Sequence, residues 1–485
     1  MRFGSDGLGK HDAERRYREK RLKHWDSVAI RRDAWSSLGT YYHQRLNQIY
    51  QNLISPGQTI LEIGCGTGDL LAALKPSVGV GIDLSCEMVR RAAQRHPELK
   101  FIQGDAHNLG LKQTFDVIIL SDLVNDLWDV QQVFEGLHDL STSRTRIIIN
   151  NYSRLWELPL KLGQLFGLST PLLPQNWLTI EDITNMLNLA GFEVFRHWPE
   201  ILWPLDIAGL ADLFNRYAVR VWPFYFFALT NIFIARQKPH KEEKRSEPLV
   251  SVVVPARNEA GNIEEIFART PEMGKGTELV FVEGNSSDNT YEMIENVISV
   301  HPERQSKLFK QAGKGKGDAV RLGFENASGD ILMILDADMT VPPEDLPRFY
   351  GAIASGEGEF INGVRLVYPM EKQAMRYINL VGNKFFSLAF SWLLGQPIKD
   401  TLCGTKVISK MDYEKIARNR AYFGDFDPFG DFDLLFGAAK QNLKIVEMPI
   451  RYAERKYGTT NIDRWRHGWL LLKMTVFAMK KIKFR

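Results

Sequence analysis

Short apolar strands alternate with amphipathic helices along this chain in two separate series, and this alternation limits the possible folds more than any other feature. The first series begins at TILEI, residues 59–63, and the second at LVSVVVPA, residues 249–256. Strands that alternate with helices form parallel sheets covered by helices on both faces. The sequence therefore predicts an α/β protein with two doubly wound domains.

A charged segment separates the two series. The chain has 485 residues, which is long for a single domain. The stretch RQKPHKEEKRSEPL, residues 236–249, has no periodic apolar face and is typical of a solvated linker. We predict a first domain at 1–236 with an N-terminal helical extension, a linker at 237–248, and a second domain at 249–485 that ends in an amphipathic helix.

Composition excludes several classes of protein. A formal net charge of +3 does not indicate a nucleic-acid binder. The three cysteines, Cys65, Cys86 and Cys403, form no CxxC pair, which argues against a disulfide framework or a zinc site and favours a reducing compartment. The N-terminus has no apolar core, and no apolar run reaches the roughly 18 residues of a spanning helix. These features predict a cytoplasmic protein.

A glycine-rich loop, GCGTGDL, follows the first strand. Gly64, Gly66 and Gly68 allow a tight turn and a close approach of the backbone to a ligand. Asp69 replaces the third glycine of a dinucleotide motif, and the GK[ST] of a phosphate loop is absent. An acidic residue there favours a ligand with positive charge. Asp83, at the end of VGVGID, is positioned to accept the hydroxyls of a ribose.

The next strands carry two more carboxylates, Asp105 in GDAHNL and Asp122 after FDVIIL. Together with LEIGCGTG and GIDLS, these motifs resemble the class I S-adenosylmethionine-dependent methyltransferases over about residues 25–236. The resemblance implies a Rossmann-like fold that closes with GFEVFRHW and LTNIFIAR as an antiparallel pair. A Rossmann-like domain with another ligand is the alternative. The implied cofactor contacts are Glu62, Gly64, Gly66 and Gly68 at the methionine end, Asp83 at the ribose and Asp105 at the adenine amino group.

The methyl acceptor is less clearly encoded. Asp122 and Asn125 lie where that family contacts its substrates, although both residue types also act as structural caps. Asp122 is our catalytic candidate. The absence of an NPPY-type motif disfavours a nucleobase acceptor. The tryptophan-rich segment 198–224 is either a lid over the acceptor or part of the core.

In the second series, each strand ends in polar residues, and these ends gather at one edge of a parallel sheet. The stretch LMILDADMT places Asp336 and Asp338 at that edge, where two adjacent carboxylates need a cation. Arg257, Glu259 and Asp288 follow neighbouring strands. Such oxygen ligands suit Mg²⁺ or Mn²⁺, which would neutralise a departing diphosphate.

PARNE, DAD and FGDFDLLFGAAKQNLKIVEMPIRY resemble the family 2 glycosyltransferases of GT-A fold over about residues 248–460. KDTLCGTKVISK and RKYGTTN resemble the dolichyl or polyprenyl-phosphate sugar transferases within that family. The resemblance implies that the donor is a nucleotide sugar. It also implies that Asp336 and Asp338 are the metal ligands. The implied donor contacts are Pro255, Arg257, Glu259, Glu283, Asp288, Lys316 and Asp336.

Two departures from the family pattern matter. Glu283, Gly284, Asn285 and Ser286 replace the usual two aspartates and Gly-Ser, which leaves UDP or GDP open. Residues 460–461 are Thr-Asn where the lipid-phosphate enzymes have Ser-Lys, so one phosphate-binding cation is missing. Arg455, which is close in sequence, is a catalytic candidate.

The sugar acceptor determines how much base the reaction needs. A phosphate monoester is already anionic, whereas a sugar hydroxyl needs a base, for which Asp431 or Asp433 is the candidate. Asp431 is otherwise an early helix residue that favours the helix dipole. The C-terminal run WRHGWLLLKMTVFAMKKIKFR and the stretch FFSLAFSWLLG are either membrane-surface segments or packed helices.

Taken together, the sequence predicts a bifunctional enzyme. S-adenosylmethionine-dependent methyl transfer is joined to metal-dependent, inverting sugar transfer onto a polyprenyl-phosphate or glycan acceptor. The alternative is transfer to a glycan hydroxyl, with a methyltransferase-like domain that only binds cofactor or serves as a scaffold. The expected location is cytoplasmic, with peripheral contact at the cytoplasmic face of a membrane.

Overall fold

The structure is a computed structural model that divides the chain into two compact units, Met1–Lys238 and Pro239–Arg485. Much of the predicted linker lies outside the described residues, because 240–246 are not among them. The structure describes residues 6–31, 40–165, 173–207, 209–239, 247–365, 367, 377–420, 431–453, 455, 457 and 464–484.

The first unit is built on a seven-stranded sheet of order β3-β2-β1-β4-β5-β7-β6. The first five strands in sequence run parallel, and β7 pairs antiparallel with both β5 and β6. The predicted closing antiparallel pair is therefore present. The strands are β1 (Thr59–Ile63), β2 (Val78–Asp83), β3 (Lys100–Gln103), β4 (Val117–Ser121), β5 (Arg146–Tyr152), β6 (Phe192–Glu200) and β7 (Thr230–Gln237).

Helices cover both faces of this sheet. Alternate residues of β4 enter different cores, since Ile118 and Leu120 pack on one face while Val117 and Ile119 pack on the other. The helices are α1 (Asp6–Arg31), α2 (Thr40–Leu53), α3 (Asp69–Ala73), α4 (Cys86–Arg95), α5 (Val130–Gly136), α6 (Glu157–Leu165), α7 (Ile180–Leu189) and the single turn α8 (Leu210–Asp212).

The second unit has its own seven-stranded sheet, of order β10-β9-β8-β11-β13-β12-β14. Strand β13 runs antiparallel to both neighbours, which the alternating sequence pattern did not indicate, because that pattern does not encode strand direction. The strands are β8 (Val250–Ala256), β9 (Thr277–Glu283), β10 (Ser306–Lys310), β11 (Ile331–Ile334), β12 (Phe360–Val364), β13 (Lys406–Ser409) and β14 (Ile445–Pro449).

Two buried clusters also flank this second sheet. In the parts of the chain that are described, no helix is long and apolar enough to cross a membrane. The helices are α9 (Ile263–Arg269), α10 (Thr290–Val300), α11 (Lys316–Asn326), α12 (Leu346–Ala354), α13 (Tyr377–Leu394), α14 (Lys410–Arg418), α15 (Asp431–Lys440) and α16 (Arg464–Ala478).

We predict that the two units fold separately when the chain is cut near residue 240. Each buried cluster takes its residues from one unit only, so either fragment keeps a complete sheet and core. Fragments 1–240 and 241–485 should each unfold cooperatively on heating, with the intact chain as the control. Aggregation of both fragments, under conditions where the intact chain is soluble, would contradict this prediction.

Candidate functional site

The first unit places a tightly folded glycine loop between β1 and α3. Gly64, Gly66 and Gly68 all have positive φ angles of 77°, 52° and 76°. A Cβ on Gly68 would lie 2.5 Å from the ring of Phe101, so a larger residue does not fit. The backbone N–H groups of residues 64 and 65 donate to the carbonyl of Ile82, which holds the loop against β2. The turn therefore favours glycine at all three positions, and packing against Phe101 adds a second reason at Gly68.

Asp83 lies at the carboxyl end of β2, next to this loop. Its Oδ2 accepts from the Gly66 N–H at 2.8 Å, and its Oδ1 accepts from the Ser85 N–H at 2.9 Å. Burial raises the pKa of Asp83, although the two N–H donors act in the opposite direction. The carboxylate is thus held in a fixed orientation at the predicted ribose position.

Glu62 supplies a second buried carboxylate to the same loop. Its side chain is almost fully buried, and burial raises its pKa well above the usual range. The Oε2 atom has no hydrogen-bond partner among the described residues. A buried acceptor without a donor is costly, and the ammonium group of a bound methionine moiety would satisfy it. The residues present therefore fit S-adenosylmethionine.

Asp105 follows β3 and is held by His107. The His107 N–H groups of backbone and ring lie 3.0 and 2.6 Å from Asp105 Oδ1, and the ring interaction is the main reason that the pKa of Asp105 falls to about 2. His107 Nε2 accepts from the Asp129 N–H, which assigns the ring proton to Nδ1. Asp105 is therefore ionised and fixed at the predicted adenine position.

Helix α1 adds residues to this site to which the sequence patterns assigned no role. Trp25 Nε1 donates to Asp126 at 2.7 Å, and Arg21 Nε lies 2.8 Å from the same carboxylate. Asp26 accepts from the Ser85 hydroxyl beside Asp83. No motif marked these residues, because their partners lie about 60 to 100 positions away. The predicted N-terminal extension is thus bound to the cofactor side of the sheet.

A polar cluster surrounds Asp122 at the end of β4. Tyr42 and Asn150 donate to Asp122 Oδ1 at 2.8 and 2.5 Å, and Tyr152 also hydrogen bonds to the carboxylate. Burial raises the pKa of Asp122 to about 7 despite these three donors. Tyr50 in turn donates to Asn150 Oδ1 at 2.7 Å. The cluster holds a carboxylate that titrates near neutral pH.

The two tyrosines that helix α2 contributes to this cluster were not predicted from the sequence. Tyr42 and Tyr50 lie eight positions apart on one face of α2, with Leu46 between them. This spacing matches an ordinary buried helix face, so only the polar ends of the rings distinguish it from core packing.

Asn125 has a structural role. Its side-chain amide donates to the Asn176 carbonyl at 2.7 Å and accepts from the Tyr152 N–H at 3.2 Å. Because both ends of the amide contact backbone, the cap alternative is favoured over a substrate contact. In segment 198–224, Trp198 is buried while Trp222 is 71% exposed, so the segment is partly core and partly surface.

The second unit brings the predicted donor-binding residues to the carboxyl ends of its parallel strands. Pro255 lies near the end of β8, Arg257 is exposed just beyond it, and Glu259 is buried. Asp288 accepts from the N–H groups of Ala260 and Thr290, so it joins the loops that follow β8 and β9.

Glu283, the last residue of β9, is buried and accepts from the Ser286 N–H at 2.5 Å. The Ser286 hydroxyl accepts from the Asn258 N–H. Glu283 therefore orders the loop that departs from the family pattern. Its carboxylate holds that loop through the Ser286 N–H.

Asp336 and Asp338 follow β11, and each is balanced by its own cation. Lys316 Nζ lies 2.5 Å from Asp336 Oδ1. Arg455 lies 2.9 Å from Asp338 and 3.3 Å from Glu259. A Cβ on Gly404 would lie 1.9 Å from Asp336 Oδ2 and 2.3 Å from Lys316 Nζ, so a larger residue there would shift this ion pair. Two basic side chains thus meet the charge requirement that the sequence raised.

The pKa shifts follow from this pairing. Burial acts to raise the pKa of Asp338, but hydrogen bonds from Thr340 and Arg455 outweigh it and lower the pKa. Burial raises the pKa of Glu259 to about 7, and the nearby Asp338 adds to that rise while Arg455 opposes it.

The described residues contain no group of three or more His, Cys, Asp or Glu side chains that would hold a metal alone. Two carboxylates nevertheless fit Mg²⁺ or Mn²⁺, since such ions take their remaining ligands from substrate phosphates and water.

The two candidate bases on α15 differ. Arg420 donates to Asp433 at 2.9 Å, and Asp433 is buried, which favours a structural ion pair. Asp431 begins the helix, but its side chain lies outside the described residues. Among these two, Asp431 remains the candidate base.

Comparisons with known proteins agree with this geometry. The glycosyl transferase family 2 model matches residues 251–417, and a methyltransferase domain model matches residues 54–191. A dolichol-phosphate mannosyltransferase from Pyrococcus furiosus is 38% identical over 246 residues, which cover 48% of this chain and 67% of that protein. The chain belongs to the family 2 glycosyltransferases. Its first half contributes a methyltransferase domain, and both predicted families and the predicted fold class are confirmed.

Other similar proteins are more distant. Glycosyltransferase AglJ from Haloferax volcanii is 27% identical over 224 residues, covering 46% of this chain and 69% of that protein. A solved S-adenosylmethionine-dependent methyltransferase from Thermotoga maritima is 17% identical with a TM-score of 0.36, covering 45% of this chain and 99% of that one.

We predict that Asp83→Ala weakens S-adenosylmethionine binding by roughly 2–4 kcal/mol, because charge-assisted hydrogen bonds to the ribose are lost. Calorimetry on the whole chain measures this change, with thermal melting to confirm folding. Gln103→Ala is the matched control, since Gln103 is exposed and pairs with Asp83 in the neighbouring strand. Unchanged affinity in Asp83→Ala would remove Asp83 from the site.

Proposed function

We propose that the second unit transfers a sugar, with inversion, from a UDP- or GDP-linked donor to a polyprenyl-phosphate acceptor in a reaction that requires Mg²⁺ or Mn²⁺. The observation that carries this proposal is the pair Asp336 and Asp338 at the carboxyl edge of the sheet, surrounded by the ends of β8 and β9. The relative named as a dolichol-phosphate mannosyltransferase supports the class of acceptor.

The chain's own residues account for donor binding. Asp336 and Asp338 would hold the divalent ion, which neutralises negative charge on the leaving diphosphate when bound. Lys316 and Arg455 balance the same carboxylates in the structure, and both are long enough to reach an anionic ligand at this edge. Asp288 and Glu283 keep the loops after β8 and β9 in place to contact the nucleotide.

The acceptor proposal depends on the available bases. A phosphate monoester attacks the anomeric carbon as an anion and needs little help. Asp433 is paired with Arg420, so a sugar hydroxyl would depend on Asp431. A mass-spectrometric screen with polyprenyl phosphates and glycans tests this proposal. Transfer only to glycan hydroxyls, with activity lost in Asp431→Asn, would replace the phosphate acceptor with the hydroxyl acceptor.

We expect Asp338→Asn to lose most donor turnover, because it removes a negative metal ligand while keeping its shape. Stabilisation of the leaving group, worth several kcal/mol, should largely disappear. The variant should melt slightly lower than the wild type, since Arg455 loses the closer of its two ion-pair partners and keeps only Glu259. Removing one carboxylate should not raise the melting temperature by relieving repulsion between the two aspartates, because each carboxylate already has a cation.

Asp330→Asn is the matched control, since Asp330 lies at the opposite end of the same strand and binds the Leu249 N–H. Donor turnover and thermal melting are measured for both variants with Mn²⁺ and with excess chelator. Full activity of the wild type in excess chelator would refute the metal assignment. A collapsed melting temperature for Asp338→Asn alone would show that the aspartate is structural.

We also propose that the first unit binds S-adenosylmethionine and transfers its methyl group, with Asp122 as the general base. The supporting observation is the pKa of about 7, which suits proton transfer near neutral pH. Tyr42, Asn150 and Tyr152 orient the carboxylate. The alternative is a unit that binds cofactor without turnover, and tight binding with no S-adenosylhomocysteine formed across a broad acceptor panel would favour it.

For Asp122→Asn we predict opposite effects on activity and stability. Methyl transfer should fall roughly a hundredfold or more and lose its rise through pH 7, because an amide accepts no proton. Folding raises the pKa of Asp122 from 3.8 to about 7, so the native state binds more protons and the wild type loses stability as pH rises through this range.

The variant has no carboxylate at this position and therefore does not lose stability in this way. The difference in melting temperature, variant minus wild type, should increase from pH 5 to pH 8. Asp139→Asn, an exposed aspartate of the same unit, should change neither activity nor this pH dependence. Retention of full, pH-dependent methyl transfer in Asp122→Asn would exclude the aspartate as base.

We propose that α16 gives the second unit a peripheral membrane contact. One face of this helix packs in the core through Leu471 and Met474, while Trp469 and Val476 are exposed on the other. Apolar residues beside the lysines of the C-terminus suit an anionic lipid surface.

A further inference from the structure

Asn262 lies in the short turn between β8 and α9 of the second unit, and it is only 2% exposed. Its side-chain amide makes two hydrogen bonds through one nitrogen atom. Nδ2 donates to the carbonyl of Ala337 at 3.0 Å and to Oε2 of Glu259 at 2.8 Å. A buried amide that uses both of its hydrogens in this way holds the two groups that it contacts in a fixed relation to each other.

The first of these bonds acts on the loop that carries the proposed metal ligands. Ala337 is the residue between Asp336 and Asp338, so Asn262 holds the backbone that connects the two carboxylates. The Met339 N–H donates to the carbonyl of Asp336 at 3.4 Å, and Met339 has a positive φ of 58°. A residue other than glycine keeps such a conformation only where surrounding contacts hold it. The bond from Asn262 is one of these contacts.

The second bond connects Asn262 to Asp338 through two more side chains. Glu259 Oε1 lies 3.3 Å from the Nη2 atom of Arg455, and the same nitrogen lies 2.9 Å from Asp338 Oδ2. The contacts form a closed ring, because they start at Ala337 and end at Asp338, the next residue in the chain. Such a ring restricts both the backbone and the side chain of the loop.

Position 262 requires a neutral side chain that donates two hydrogens. The carbonyl of Ala337 and the carboxylate of Glu259 are both acceptors, so the group between them must donate to each. An ionised aspartate has the same shape as asparagine, but it donates no hydrogen and would repel Glu259. Asparagine meets both requirements in the space available.

A divalent ion makes this arrangement important. Mg²⁺ accepts only near-octahedral geometry with short distances to its oxygen ligands. Two carboxylates that are one residue apart in the chain can meet this demand only if the backbone between them has the right orientation. When that orientation exists before the ion binds, no binding free energy is spent on ordering the loop.

We propose that Asn262 is a positioning residue for the metal site of the second unit. It acts through Ala337 and Glu259 rather than as a ligand. The inference rests on the proposed metal role of Asp336 and Asp338, and it adds a residue to which the sequence motifs assigned no role.

Calorimetric titration of the whole chain with Mn²⁺, in the presence of UDP or GDP, tests the proposal. Asn262→Ala removes both hydrogen bonds and should raise the apparent dissociation constant for Mn²⁺ about tenfold. Asn262→Leu fills most of the same space without donating a hydrogen, so it should have a similar effect without leaving a cavity. Donor turnover of both variants should recover at high Mn²⁺ concentration, because the two carboxylates remain, whereas turnover of Asp338→Asn should not.

Gln396→Ala is the matched control. Gln396 is also buried, at 4% exposure, and its amide binds the backbone of Leu443 and Ile445 at 2.9 Å in each case. Ile445 is the first residue of β14, so this amide lies at the opposite end of the strands from Asp336. Gln396→Ala should lower the melting temperature, as Asn262→Ala does, and leave the affinity for Mn²⁺ unchanged.

The proposal is overturned if Asn262→Ala and Asn262→Leu bind Mn²⁺ as tightly as the wild type, whatever their melting temperatures. An equal loss of Mn²⁺ affinity in Gln396→Ala would also overturn it, because the effect would then come from general destabilisation. Both of these outcomes leave the metal assignment intact. If the wild type itself binds no Mn²⁺ with either nucleotide, the metal assignment fails and this inference fails with it, so the two failures are distinguishable.

Discussion

A carboxylate at the end of a buried strand remains in place only when a cation or several N–H groups share its charge, and both halves of this chain are organised around such carboxylates. In the first unit, Asp83 is held by two backbone N–H groups and Asp105 by a histidine. In the second unit, Asp336 and Asp338 are held by Lys316 and Arg455. Asp83 holds the glycine loop, and other carboxylates act in the same way: Asp126 binds helix α1, while Asp288 and Glu283 order the loops after β8 and β9.

The strands and the residues at their ends were predictable because both depend on local sequence. TILEI and VGVGID are short apolar runs bounded by turn residues, and the structure gives strands at those positions. Asp83 is the last residue of β2 and Asp336 lies two residues beyond β11, so the parallel strands alone place both at the carboxyl edge. The direction of β13 was not predictable, because a short strand such as KVIS has no feature that encodes its direction.

The partners of the site residues were not predictable, because they come from distant parts of the chain. Tyr42 reaches Asp122 across 80 positions, and Arg455 reaches Asp338 across 117. Arg420 pairs with Asp433, one of the two candidate bases, through a contact that no motif indicates. Helix α6 carries leucines on both sides, and one of these sides is exposed. Sequence patterns predict which residues are apolar, but only the tertiary structure shows which of them remain uncovered.

The two ion pairs at the carboxyl edge of the second sheet have a thermodynamic consequence. A divalent ion held by the proposed ligands Asp336 and Asp338 would compete with Lys316 and Arg455 for these carboxylates, and this competition would lower its apparent affinity. The released side chains would then place two positive charges close to the strand ends, where they would attract an anionic ligand. Binding of the proposed ion and binding of a diphosphate would therefore be coupled, and by linkage each would strengthen the other to the same degree.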